Sequence, residues 1–95
     1  MSDYINEAVA AMNAKMPSGF DGSAKFDVTG EGSFVLDQDG ARVDDSGADV
    51  TLSADVDTFR GIIDGDIDPT SAFMSGKLAI DGDMGVAMRL AQALA

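Results

Sequence analysis

Residues 83–95 constrain what this chain can fold into more than any other stretch. They read as a closing helix capped by Asp83 and apolar nearly all the way round. Met84, Met88, Ala91 and Ala95 share one stripe at helical spacing, and Val86, Leu90 and Leu94 form a second. Only Arg89 and Gln92 are clearly polar. In a chain of 95 residues, one sheet can cover one of those stripes. The other requires a different cover.

The rest of the chain supplies that sheet. Residues 3–16 read as an amphipathic helix, with Ile5, Val9, Met12 and Met16 on one face and Ala8 and Ala11 widening it. Pro17-Ser18-Gly19 ends it. From residue 23 the period changes to two. Ala24, Phe26 and Val28 alternate with polar residues, as do Phe34 and Leu36, and Ala48, Val50, Leu52 and Ala54. Val35 interrupts the polar face. Gly30-Glu31-Gly32, Asp39-Gly40 and Asp45-Ser46-Gly47 are turn signals, and a short strand is expected around residues 41–44.

Asp55 or Asp57 caps a helix over about residues 56–63, with Phe59, Ile62 and Ile63 inward and Gly65 at its end. Asp68 and Pro69 open a second, short helix ending near Ser75-Gly76. Residues 77–81 form a fifth strand with Leu78 and Ile80 inward. The strands have one apolar face and one wet face, so the sheet is expected to be mostly antiparallel with all helices on one side. The predicted architecture is α+β, two-layered and five-stranded, a single domain over residues 1–95.

Composition removes most chemistries. There is no His and no Cys, hence no disulfide, no thiolate and no usual base–nucleophile pair. Seventeen acidic against six basic residues give a net charge of −11, which repels nucleic-acid phosphates and anionic membranes. Fifteen of the acids are Asp, a residue of caps and turns. Neither register of the Asp-rich loops fits a calcium-binding loop. Setting Gly40 sixth places Val35 first and Ser46 last, and setting Asp64 first places Pro69 where Gly is needed. No phosphate-cradling loop is present. The expectation is no catalytic residue, no metal and no cofactor. No secretory signal, bilayer-length apolar run or peroxisomal address is visible, so the expectation is a cytoplasmic protein without stable membrane insertion.

The methionines are the feature left over. Met12, Met16, Met74, Met84 and Met88 follow the first residue. Such a stripe is usually plain core; the alternatives are a deformable lining for an apolar ligand, since Met is unbranched and adaptable, and a dimer face.

The run from Gly65 to Leu90 resembles the sterol carrier protein 2 domain family, also called non-specific lipid-transfer domains. Pro69, Ala72-Phe73, Gly76-Lys77-Leu78, Ile80, Gly82-Asp83, Ala87 and Arg89-Leu90 carry the resemblance. Asp49-Val50-Thr51-Leu52 and Phe59 extend it to residue 49, and the element order agrees throughout. The chain departs at Asp66, where members usually carry Lys, and it stops at Ala95 without the family's C-terminal extension.

The resemblance implies helices on one side of a five-stranded sheet and an apolar tunnel between the layers. It implies non-catalytic binding, and transfer, of fatty acid, acyl-CoA, phospholipid or sterol-like molecules. Phe59, Ile62, Ile63, Phe73, Met74, Leu78, Met84, Met88 and Leu90 are the expected lining, with Phe26, Phe34 and Leu52 as floor and Lys77, Arg89 or the backbone near Gly76 orienting a head group. Without the extension, the tunnel is expected to stay open at one end and exchange ligand fast, or to be closed by a second protomer through Val86, Leu90 and Leu94. The alternatives are a protein-interaction or homodimerisation module, and an accessory that presents a lipid intermediate to a partner enzyme.

Overall fold

The computed structural model describes residues 3–94. The chain runs α1 (Asp3–Lys15), β1 (Ala24–Val28), β2 (Gly32–Asp37), β3 (Gly40–Val43), β4 (Val50–Ala54), α2 (Val56–Asp64), α3 (Pro69–Met74), β5 (Ala79–Gly82) and α4 (Met84–Leu94). The strands form one sheet in the order β3-β2-β1-β4-β5. Its pairs are antiparallel except β1 with β4, which is parallel.

The parallel pair follows from the connection between β3 and β4. Both strands run in the direction of β1, so residues 44–49 must return the chain to the start of the sheet. They do so across the face opposite the helices. Lys25, which points outward between Ala24 and Phe26, donates from Nζ to the Asp45 carbonyl at 2.9 Å. The Ser23 hydroxyl accepts from the Asp49 amide at 2.9 Å. The expected local turn at Asp45-Ser46-Gly47 is therefore a strap, and the outer face is not uniformly wet. Val35, paired with Lys25 and Arg42 in register, lies beneath it with 2% of its surface exposed.

The inner face is a row of apolar residues. Register aligns Phe34, Phe26, Leu52 and Ile80 across four strands. The Phe26 and Phe34 rings stack at 4.7 Å, and Phe59 of α2 meets Phe26 edge-on at 5.7 Å. Tyr4, Ile5, Ala8 and Met12 of α1 cover the β2–β3 side, with Val9 only half-buried at the helix edge. Val86, Leu90 and Leu94 of α4 are buried on the β4–β5 side. The helices thus cover the aromatic half of the row closely and the Leu52–Ile80 half from one side.

Local signals set the helix ends. Asp55 accepts from the Thr58 amide at 2.8 Å and caps α2, a bond that holds its carboxyl below the usual range, and Gly65 closes the helix in the left-handed region. Asp68 caps α3, with Pro69 in its first turn. β5 starts two residues later than its alternation suggests. The amides of Lys77 and Leu78 both donate to the Ala72 carbonyl, at 2.9 and 3.1 Å, so they finish α3 instead of pairing with β4.

Gly82 makes the turn from β5 into α4 at φ +114°. A Cβ there would sit 2.5 Å from the Asp49 carbonyl oxygen and 3.0 Å from the Val50 Cα, both backbone atoms of the neighbouring strand. Gly82→Ala is expected to cost roughly 2 kcal/mol or more, from backbone strain added to the clash. A urea-unfolding midpoint indistinguishable from the parent would contradict that.

Candidate functional site

A cavity of about 290 Å³ lies where the helical layer fails to close over the sheet edge. Leu52, Leu78 and Ile80 come from β4, β5 and the residues leading into β5; Pro69, Thr70, Phe73 and Met74 come from α3. α4 contributes Met84, Ala87, Met88, Leu90, Ala91 and Leu94. Among the described residues Thr70 is the one lining residue with a polar side chain.

The cavity has a buried floor and an open wall. Leu52, Leu78, Leu90 and Leu94 are buried at the base. Met74 is 80% exposed, Met88 63%, Met84 45% and Phe73 40%, a concentration of large apolar side chains that water alone covers. Local sequence explains the shape. Pro69, Thr70, Phe73 and Met74 recur at helical spacing along α3. On α4 the small Ala87 and Ala91 each precede or follow Met88 by one turn or less and leave the space that larger residues would fill.

Of the expected lining residues, Phe73, Met74, Leu78, Met84, Met88 and Leu90 meet here. Phe59, Ile62 and Ile63 do not. α2 packs its inward face on Phe26 and α1, so Phe59 and Ile62 are central core. Ile63 borders a separate hollow with Tyr4 and Arg60, where burial pushes the Tyr4 hydroxyl up to about 12. Leu52 is floor, as expected, whereas Phe26 and Phe34 lie deeper, under α1 and α2. Pro69, Thr70, Ala87, Leu94, Ile80 and Ala91 were not in the expected lining. The i, i+3 and i, i+4 steps from Phe73, Met74 and Met84 would have found the first three.

Two expectations need correction. The Val86–Leu90–Leu94 stripe cannot meet a second protomer, because these side chains are 5%, 0% and 2% exposed and pack on the sheet. The outward stripe is Met84–Met88–Ala91; its expected fourth member, Ala95, lies outside the described residues. Arg89 is not at the mouth. It points from the opposite side of α4 to Asp21, with a 3.5 Å ion pair, and Lys77 is absent from the lining as well.

A second hollow of about 140 Å³ adjoins the first and shares Thr70, Met88 and Ala91 with it. Asp68 and Gln92 complete its wall, so a small polar hollow borders the apolar cavity. Among the described residues no group of His, Cys, Asp and Glu is placed to hold a metal, and no helix is long and apolar enough to cross a membrane.

The SCP-2 sterol transfer family profile matches residues 5–95. The chain is 36% identical over 103 residues to the zebrafish (Danio rerio) hydroxysteroid dehydrogenase-like protein 2, covering 100% of this chain and 25% of that one. It is 37% identical over 91 residues to the human protein of that name, covering 95% and 21%. The chain therefore spans about a quarter or less of these relatives. Among solved structures it resembles Aedes aegypti sterol carrier protein-2 in complex with the C16 fatty acid palmitate, with a TM-score of 0.79 and 22% identity over 100% of this chain and 97% of that one. Palmitated SCP2L2 from the same mosquito gives a TM-score of 0.71 and 23% identity over 99% and 95%. At these identities the two structures establish the fold.

Proposed function

For a chain that belongs to the SCP-2 sterol transfer family, we propose that residues 1–95 act as one non-catalytic lipid-binding unit. It would take a long-chain or similarly apolar molecule into the cavity between β4–β5 and the α3–α4 pair. The observation that carries this reading is the cavity itself. It is apolar save for Thr70, and its open wall is made of Phe73, Met74, Met84 and Met88. Met side chains re-pack around guests of different shape, so the wall can close on a chain that the empty protein leaves room for. The mosquito protein whose structure holds palmitate shares the whole fold, which supports a long-chain apolar occupant here.

Binding would rest on burial of methylenes, each contributing about 0.8 kcal/mol. Ten of them contribute ~8 kcal/mol gross, the equivalent of a micromolar Kd before association consumes part of it, so affinity weaker than micromolar is expected if only ten are buried. The cavity is at the small end of ligand sites, roughly 300–1,000 Å³. A long guest must displace Met84 and Met88 or leave one end in the mouth.

Native mass spectrometry of freshly purified protein, with solvent extraction of whatever it carries, tests this directly. A long-chain fluorescent probe should also bind saturably and be displaced by unlabelled lipid. If no long-chain compound binds, whether neutral, cationic or anionic, the reading fails. A second role, presenting lipid to a partner enzyme, draws support from the relatives: they are much longer proteins named for a dehydrogenase, and this chain matches a minor part of each.

A further inference from the structure

We propose that the mouth of the cavity selects against anionic lipids, in favour of a head group that donates hydrogen bonds and carries no negative charge, an uncharged hydroxyl being the simplest. This rests on reading the cavity as a lipid site. The apolar cavity borders, across Thr70, Met88 and Ala91, the hollow walled by Asp68 and Gln92. A guest buried by its chain places its head there. The groups it meets are a carboxylate, an amide and a hydroxyl.

Among the described residues no cation faces that position. Neither hollow has a Lys or Arg in its lining. Arg89 pairs with Asp21 on the far side of α4, and Arg60 lies near Glu7 and over the Tyr4 ring. Lys25 and Arg42 are on the outer sheet face, on the Asp45 carbonyl and on Asp37 and Asp44. Lys15 ends α1, on the β2–β3 side of the sheet, and Lys77 lies beside Asp55.

The helix N-termini at the cavity offer an anion nothing either. The α3 start is taken by Asp68, which accepts from the Ser71 amide at 3.3 Å and the Ser71 hydroxyl at 3.1 Å. The α4 start is taken by Asp83, which accepts from Gly85 and Val86 amides at 2.9 and 3.2 Å. Both capping positions thus already hold the chain's own carboxylates. An added carboxylate or phosphate would meet Asp68 without a counter-charge, in the field of a chain of net charge −11. A hydroxyl can instead donate to Asp68 or the Gln92 carbonyl and accept from Thr70.

The test uses the full chain, an uncharged polarity-sensitive dye in the cavity, and three competitors of equal chain length: hexadecanol, hexadecylamine and palmitate. The alcohol and the amine should displace dye at concentrations about tenfold or more below palmitate, with the gap narrowing as salt rises. Asp68→Asn keeps a competent N-cap and should shrink the gap by about threefold or more. Palmitate displacing as well as hexadecanol, or a gap that Asp68→Asn leaves unchanged, overturns the head-group inference while the lipid site stands. Failure of all three to displace, with none of them bound in native mass spectra, overturns the lipid site and this inference with it.

Discussion

Met88→Asp is expected to weaken binding of a long-chain probe at least about a hundredfold while moving the thermal unfolding midpoint very little. In the empty protein Met88 is 63% exposed, and substitutions at such positions change stability within roughly 0.5 kcal/mol. With a chain bound, the same side chain faces apolar surface. A carboxylate there must shed water without a partner or swing aside and leave the wall open, at a cost of several kcal/mol. A fluorescence titration beside a melting curve separates the two effects. Stability falling as far as it does for a core substitution would make Met88 core. Unchanged affinity would remove it from the site.

Leu90→Lys should give the opposite result, a chain that does not fold. Leu90 is 0% exposed, on the stripe of α4 that meets the sheet. An ammonium placed there has no acceptor among the apolar neighbours Val86, Leu94 and Leu52. Its cost, upwards of about 4 kcal/mol, is comparable with the whole stability of a domain this size, about 5–15 kcal/mol. Circular dichroism in water should show lost helix, and the milder Leu90→Ala should lower stability by about 2–5 kcal/mol. A well-folded, monomeric Leu90→Lys protein derived from a dimeric parent would instead show that this stripe faces outward.

The pair of substitutions isolates what spacing along a chain can and cannot tell. Spacing put Met84 and Met88 on one stripe of α4 and Val86, Leu90 and Leu94 on another, and the structure keeps both stripes intact. It could not assign the stripes to solvent and sheet, since both are apolar. Rotation of α4 about its axis is decided by Gly82 and Asp83 at its start and by the Leu52–Ile80 surface beneath it. That surface exists only once β5 has paired with β4.

The same division runs through the rest of the molecule. Gly65, Asp68 with Pro69, and Asp83 mark helix ends by bonds within four residues of one another or by a local backbone angle, so they were legible residue by residue, while the α2 cap was narrowed to Asp55 or Asp57 and proves to be Asp55. The alternation of Phe26, Phe34 and Leu52 likewise announced one buried sheet face. Whether those residues became core or cavity floor was not a local property. The insertion of β4 beside β1, parallel to it, sets α2 over Phe26 and commits Phe59 and Ile62 to the interior. It also forces residues 44–49 over the outer face, where they bury Val35. Arg89 was expected at the mouth from the family resemblance and lies at Asp21 through the packing of its helix. Which residues share a face was readable along the chain, because periodicity and caps act through near neighbours. What each face meets emerged on folding, because strand order and helix rotation are settled by contacts between segments far apart in sequence.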